Sequence, residues 1–192
     1  MSLTAALATF CCSFETNAIP DAVRGRAAVL MTDLAGSILR AAEDCESSAV
    51  ALRALDRLGM AGQGPCTVLG LPGRRGAAGA ALLNGMFGHS LDFDDTHADS
   101  SLHPSAPVVP AALAAAELAG ASGPEMVAAI VVGFEVCCRL GLALDPTAHY
   151  ARGFHPTATA GTFGAAAAAG RLLGLDATQM ISAFGIAASQ AS

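Results

Sequence analysis

The densest group of chemically capable side chains runs from His89 through Asp92, Asp94, Asp95, Thr96, His97 and Asp99 to His103. It lies between two of the most apolar parts of the chain. Four carboxylates between Asp92 and Asp99 repel one another, so a fold keeps them together only where they cap helices, hold a cation or face hydrogen-bond donors. Asp94, Asp95 and Asp99 read most simply as caps and loop solvation. Asp92 is three residues after His89 and four before Thr96, so all three share one face if a helix continues through this stretch.

His155-Pro156 repeats the arrangement of His103-Pro104: a histidine directly before a proline that can open a helix. Both imidazoles then stand at helix amino-termini. Free N–H groups and the positive dipole end favour a bound carboxylate there, and they also keep a histidine neutral and able to act as a base. Arg152, three residues before His155, is either a carboxylate anchor or an ordinary exposed arginine. His97 and His149 fall in polar or proline-containing loops and are expected at the surface.

Two motif readings compete at the acidic cluster. Asp92-Phe-Asp94-Asp95-Thr96 matches the D-x-D-x-T of aspartate-nucleophile phosphatases, but Leu83 to Ser90 is not the β-branched strand that motif needs. Asp94-Asp95-Thr-His-Ala-Asp99 faintly resembles the acidic magnesium motif of helical prenyl-diphosphate enzymes. Magnesium dependence would support that reading; without it no metal is expected.

The elements that must position these groups are helical. Apolar residues fill 53% of the 192-residue chain, charged residues 14% and aromatics only 5%, so closely approaching helices packed with Ala, Leu, Val and Gly are expected. Val23, Ala27, Leu30, Met31, Leu34 and Ile38 recur at helical spacing after Pro20 and Asp21. Ser48 reads as the start of a shorter helix that stops at Gly59. Cys66 to Leu69 is expected as a short extended piece without a real sheet. Gly76 to Phe93 reads as helix only if another backbone packs against Gly79, Gly85 and Gly88. Ser122 with Glu125, and Asp176 with Gln179, form capping boxes before Met126–Leu144 and Met180–Gln190, and Pro156 opens Thr157–Leu173. The sum is an all-α domain over residues 1–192 with about seven or eight helices by this pattern. The apolar pattern of the last helix runs to the end of the chain without a stop signal, which predicts a truncation.

A net charge of −6 and a pI near 5.2 leave no basic footprint, so no nucleic-acid partner is expected. An acidic surface repels anionic metabolites at long range, so any polycarboxylate site must carry local positive potential. Cys11, Cys12, Cys45, Cys66, Cys137 and Cys138 form no metal spacing and read as small buried hydrophobes of a reducing compartment. The start has no charged n-region, and Met126 to Leu144 contains Glu135 and Arg139 at i,i+4, so a cytoplasmic protein without a membrane partner is expected.

Three strings carry a resemblance: Asn84-Gly-Met-Phe-Gly-His-Ser-Leu-Asp-Phe-Asp-Asp-Thr-His97, His103-Pro-Ser-Ala-Pro-Val-Val-Pro-Ala-Ala-Leu113 and Gly153-Phe-His-Pro-Thr-Ala-Thr-Ala-Gly-Thr-Phe-Gly-Ala-Ala-Ala-Ala168. In order and spacing they are similar to the MmgE/PrpD family, which contains 2-methylcitrate dehydratase and its decarboxylase and epimerase relatives. Weaker similarity extends from Leu7-Ala-Thr-Phe10 to Ala187-Ala-Ser-Gln190.

The resemblance implies an incomplete part of a two-domain fold, with a smaller α+β domain, a downstream lysine and a further histidine absent. It also implies a homodimer without cofactor that acts on a small polycarboxylate. It places Asp92, Thr96, His103 and His155 on family active-site positions, with the loop from Thr96 to His103 one residue longer than in the decarboxylase branch. The expected activity is that of a 2-methylcitrate dehydratase-type lyase, which removes a proton α to a carboxylate. His103 is then acid or base, Asp92 its partner, Thr96 a donor to substrate, and His155 a carboxylate anchor or second acid/base, with Arg152 binding substrate. The alternative is a catalytically inactive helical fragment that acts only through dimerisation.

Overall fold

The computed structural model describes residues 2–60 and 62–191. Among them are nine α-helices: α1 (Leu3–Ser13), α2 (Asp21–Asp44), α3 (Glu46–Arg57), α4 (Ala77–His89), α5 (Ser105–Ala119), α6 (Gly123–Ala143), α7 (Pro146–Ala151), α8 (Pro156–Leu172) and α9 (Ala177–Gln190). Two strands of two residues each, β1 (Cys66–Thr67) and β2 (Arg74–Arg75), pair antiparallel, with Cys66 opposite Arg75. The all-α reading holds. The extended piece expected at Cys66 finds a partner strand that alternation could not reveal, because each strand is shorter than one period of the pattern.

The helix starts follow local chemistry. The hydroxyl of Ser122 and the carboxylate of Asp176 accept from the backbone N–H three residues on, and Glu125 and Gln179 reach back to close both capping boxes. Two expectations need correction. Ser48 is not the cap of α3, which begins at Glu46; its buried hydroxyl instead donates to the Ala41 carbonyl at 2.7 Å and ties α3 to the end of α2. The helix over the acidic cluster ends at His89, so Asp92 and Thr96 do not continue its face.

Helix α8 is the centre of the packing and has its largest interfaces with α6 and α5. The α6–α8 contact is backbone on backbone. A Cβ on Gly133 would lie 2.8 Å from the Gly164 carbonyl oxygen, and one on Gly164 would lie 2.8 Å from that of Gly133. The same requirement explains α4, where a Cβ on Gly79 would meet the Met60 carbonyl at 2.6 Å. The main core joins Leu34 and Ile38 of α2, Leu83 and Phe87 of α4, Val108 of α5 and Ile130 of α6.

Among the described residues only α6 is long and apolar enough to cross a membrane. It packs against α8, α5 and α2, and its Glu135 and Arg139 pair at 2.7 Å. All six cysteines are free thiols, and burial pushes Cys11 and Cys137 up to about 12 and Cys138 to about 11.

Candidate active site

The carboxyl end of α4 and the amino ends of α5 and α8 meet at one place, and each delivers a histidine. His89 is the last residue of α4, His103 stands two residues before α5, and His155 is the N-cap of α8. The ring centroids of His89 and His103 are 5.3 Å apart, and each lies 6.2 Å from that of His155.

Each imidazole has a different partner, which fixes where its proton lies. The Nδ1 of His103 is 3.0 Å from the Asp95 carbonyl oxygen, which can only accept, so in the neutral ring Nδ1 carries the proton and Nε2 the lone pair. The Nδ1 of His155 accepts from the Thr157 N–H at 3.2 Å, so in the neutral ring the proton is on Nε2, which faces the Tyr150 hydroxyl at 3.5 Å. The Nδ1 of His89 donates to the Asp94 carboxylate at 2.9 and 3.1 Å. Thr157 ties two of these groups together, because its hydroxyl also accepts from the His103 N–H at 2.9 Å.

Electrostatics separates the three further. Desolvation, and then the neighbouring His89 and His103, hold the His155 imidazole below its ordinary value, against the opposing pull of Asp92 and Asp94. Burial raises the Asp95 carboxyl, opposed by its hydrogen bond from the Ser105 N–H at 3.1 Å, which caps the start of α5.

Asp94, not Asp92, is the carboxylate beside His103. Its side chain is fully buried and its Oδ1 lies 3.9 Å from His103 Nδ1. The reason is local: α4 stops at His89, and Asp92 takes a left-handed conformation (φ 55°), which turns the chain back so that Asp94 reaches the His89 ring. Asp tolerates that conformation. Asp92 is itself exposed. Among the described residues, His89, Asp92 and Asp94 are the one set of three possible metal ligands with donor atoms within 4.8 Å of one another. The Thr96 hydroxyl is 3.4 Å from His103 Nδ1. Arg152 caps α7 at its carboxyl end, and its exposed side chain makes no hydrogen bond or ion pair to the described residues.

His97 and His149 are not simple surface groups. His97 bonds the Ser100 hydroxyl at 2.6 Å inside a loop closed by the His97–Leu102 bridge, and His149 bonds Thr159 at 2.8 Å. Pro146 opens the short helix α7, capped by Asp145, rather than marking a loop. That helix also carries Tyr150, which has no signal of its own in the sequence and whose ring lies 5.4 Å from that of His155. His89 and Thr157 carried weak signals, the one inside the acidic cluster and the other two residues after the second His-Pro pair.

The site opens onto a groove of about 930 Å³ between α4, α5 and α8. Leu82, Gly85 and Met86 line one wall and Ala158, Gly161 and Ala165 the other, with His89 and His155 as its imidazoles. Basic groups beside an otherwise apolar groove suit a small acid held by a few directed hydrogen bonds.

The chain is 39% identical over 136 residues to a cis-aconitate decarboxylase-like protein of Aspergillus oryzae, covering 67% of this chain and 28% of that protein. It is 36% identical over 133 residues to cis-aconitate decarboxylase of Aspergillus terreus, covering 67% and 27%. It is 40% identical over 116 residues to the human cis-aconitate decarboxylase, covering 58% and 24%. The matched region thus spans about a quarter of the length of these relatives. The family described as the MmgE/PrpD N-terminal domain matches residues 5–192, and the chain belongs to the MmgE/PrpD family.

Proposed function

We propose that this chain supplies the proton-transfer part of a cofactor-independent lyase that acts on di- or tricarboxylic acids. The observation that carries the reading is the fixed proton of His103. With Nδ1 bonded to the Asp95 carbonyl, the neutral ring carries its lone pair on Nε2, beside the imidazoles of His89 and His155, which line the apolar groove.

In this mechanism His103 Nε2 takes the proton from a carbon α to a carboxylate. The C–H electron pair moves into the carboxylate, whose developing charge is met by the Nε2–H of His155. The imidazolium formed on His103 is stabilised by Asp94, whose Oδ1 is 3.9 Å away. The electron pair then expels hydroxide from the neighbouring carbon, or the carbon is reprotonated; in a decarboxylation the C–CO₂⁻ bonding pair stays on carbon instead, and His103, starting as the imidazolium, delivers a proton to that carbon. Thr96, beside His103, donates to the substrate, and exposed Arg152 binds one of its outer carboxylates. The names of the relatives support lyase chemistry, and a 2-methylcitrate dehydratase-type elimination shares the same first step.

The exposed groove supports a second part of the proposal. The remainder of a longer polypeptide, including a smaller α+β domain, closes the site over Leu82 and Met86, which are 44% and 40% exposed. The intact enzyme is proposed to be a cytoplasmic homodimer. The test is an assay of the full-length polypeptide with 2-methylcitrate, cis-aconitate and iminodisuccinate, following water loss, CO₂ loss and epimerisation. Turnover of one of them that is lost in His103→Ala supports the reading; no turnover of any of them, or undiminished turnover in His103→Ala, removes it.

A further inference from the structure

We infer that His89, paired with buried Asp94, is the cationic anchor for a substrate carboxylate, a role separate from the proton transfer at His103. The inference rests on the proposed polycarboxylate chemistry and adds a third histidine to it.

Three observations point the same way. First, the Asp94 side chain is fully buried while that of His89 is 43% exposed, and the two share hydrogen bonds at 2.9 and 3.1 Å. A buried carboxylate needs a compensating cation, and the His103 Nδ1–H is already committed to the Asp95 carbonyl. Of the neighbouring imidazoles His89 is the one that donates directly to the Asp94 carboxylate, at 2.9 Å against 3.9 Å for the approach of His103 Nδ1. Second, His89 is the last residue of α4, where the negative end of the helix dipole favours an imidazolium. His155 stands at the opposite kind of end, the amino-terminus of α8, which favours the neutral ring. The fold therefore places its histidines differently: one at a helix carboxyl end, which favours a cation, one at an amino end, which favours the neutral ring, and one held by a carbonyl. Third, with Nδ1 bound to Asp94, the remaining N–H of His89 is Nε2, and the ring lines the groove. Facing His89 are Asp92, Asp94, His103 and His155. The first two favour the cation, and the other two are neutral in the proposed resting site.

The ligand class that follows is an acid with at least two carboxylates. One is bound to His89, and another activates the carbon that faces His103. The test uses tricarballylate, a saturated tricarboxylate, as probe. Binding to the 192-residue chain is followed by ring ¹⁵N shifts of the histidines, with the full-length polypeptide run in parallel. The His89 Nε2 resonance should move on binding. His89→Gln, which keeps a neutral N–H donor but removes the charge, should weaken binding about tenfold, the loss of one charge-assisted hydrogen bond. Asp94→Asn should weaken it in the same direction. In the active polypeptide His89→Gln should raise KM more than it lowers kcat, whereas substitution of His103 lowers kcat.

If tricarballylate shifts His103 and His155 but not His89, or binds His89→Gln as tightly as the parent, the anchor role is overturned and the His103 reading stands. Absence of tricarballylate binding in both forms also overturns the anchor role. Loss of the base reading itself would show separately, as turnover that is indifferent to His103. Circular dichroism of His89→Gln at the parent's melting temperature separates loss of binding from loss of fold.

Discussion

The Nδ1–H of His103 donates to the main-chain carbonyl of Asp95 at 3.0 Å, so the base of the proposed reaction is set by the backbone rather than by a side chain. No substitution at position 95 deletes that carbonyl. At neutral pH, two-bond ¹H–¹⁵N spectra should show His103 protonated on Nδ1 and neutral His155 protonated on Nε2. Asp95→Asn should leave the His103 pattern intact, because the amide oxygen still caps Ser105. The opposite tautomer on His103 would remove its role as base.

His155 is both a helix cap and a titrating group, and substitution separates the two. His155→Ala should lose about 1 kcal/mol of stability with the cap, while His155→Asn, whose side chain also caps, should lose only a few tenths by the usual cap preferences. Because the His155 pKa is lowered from 6.5, its contribution to stability is complete above that value and falls as pH drops through the lowered folded value. Denaturant melts from pH 8 to 5, run on parent and His155→Asn, should show that this part of the acid sensitivity vanishes in the variant. The raised Asp95 acts in the reverse sense. Its contribution is present below 3.8 and is lost as pH rises through the folded value, so Asp95→Asn should not destabilise the protein at neutral pH.

Gly133 and Gly164 set the distance between α6 and α8. Gly133→Ala would place a methyl 2.6 Å from Val108 and 2.8 Å from the Gly164 carbonyl, a contact that only backbone movement relieves. A loss of about 1–3 kcal/mol or more is expected from overpacking of this kind, read from urea denaturation. An unchanged midpoint would mean that the helices are not in backbone contact.

His89 and Asp94 satisfy each other, and the third possible ligand, Asp92, is exposed. Neither excess EDTA nor added Mg²⁺ should therefore change the melting temperature of the chain or the rate of the full-length enzyme. A rise in melting temperature with Mg²⁺ that EDTA reverses would instead favour a metal–carboxylate centre.

The helices were legible because their signals are local. Capping boxes at Ser122 and Asp176, the proline at the start of α8 and the apolar spacing of α2 act within a few residues of the structure they specify. The two His-Pro starts were legible for the same reason. The partner of His103 was not, because it depends on where α4 stops and on the left-handed turn at Asp92, which together exchange the places of Asp92 and Asp94. His89 gains its meaning only when α5 and α8 bring two more imidazoles beside it. Tyr150 was hidden behind a proline that opens a helix as readily as it ends one.

The central claim is that His103 moves a proton at a carbon α to a carboxylate. The direct measurement is deuterium uptake from D₂O, followed by NMR on 2-methylcitrate, cis-aconitate or iminodisuccinate with the full-length polypeptide. Deuterium should enter substrate or product next to a carboxylate, at a rate reduced about 10²–10⁴-fold in His103→Ala, the usual contribution of a general base. Uptake at an undiminished rate in that variant, or no uptake with any of the three acids, would contradict it.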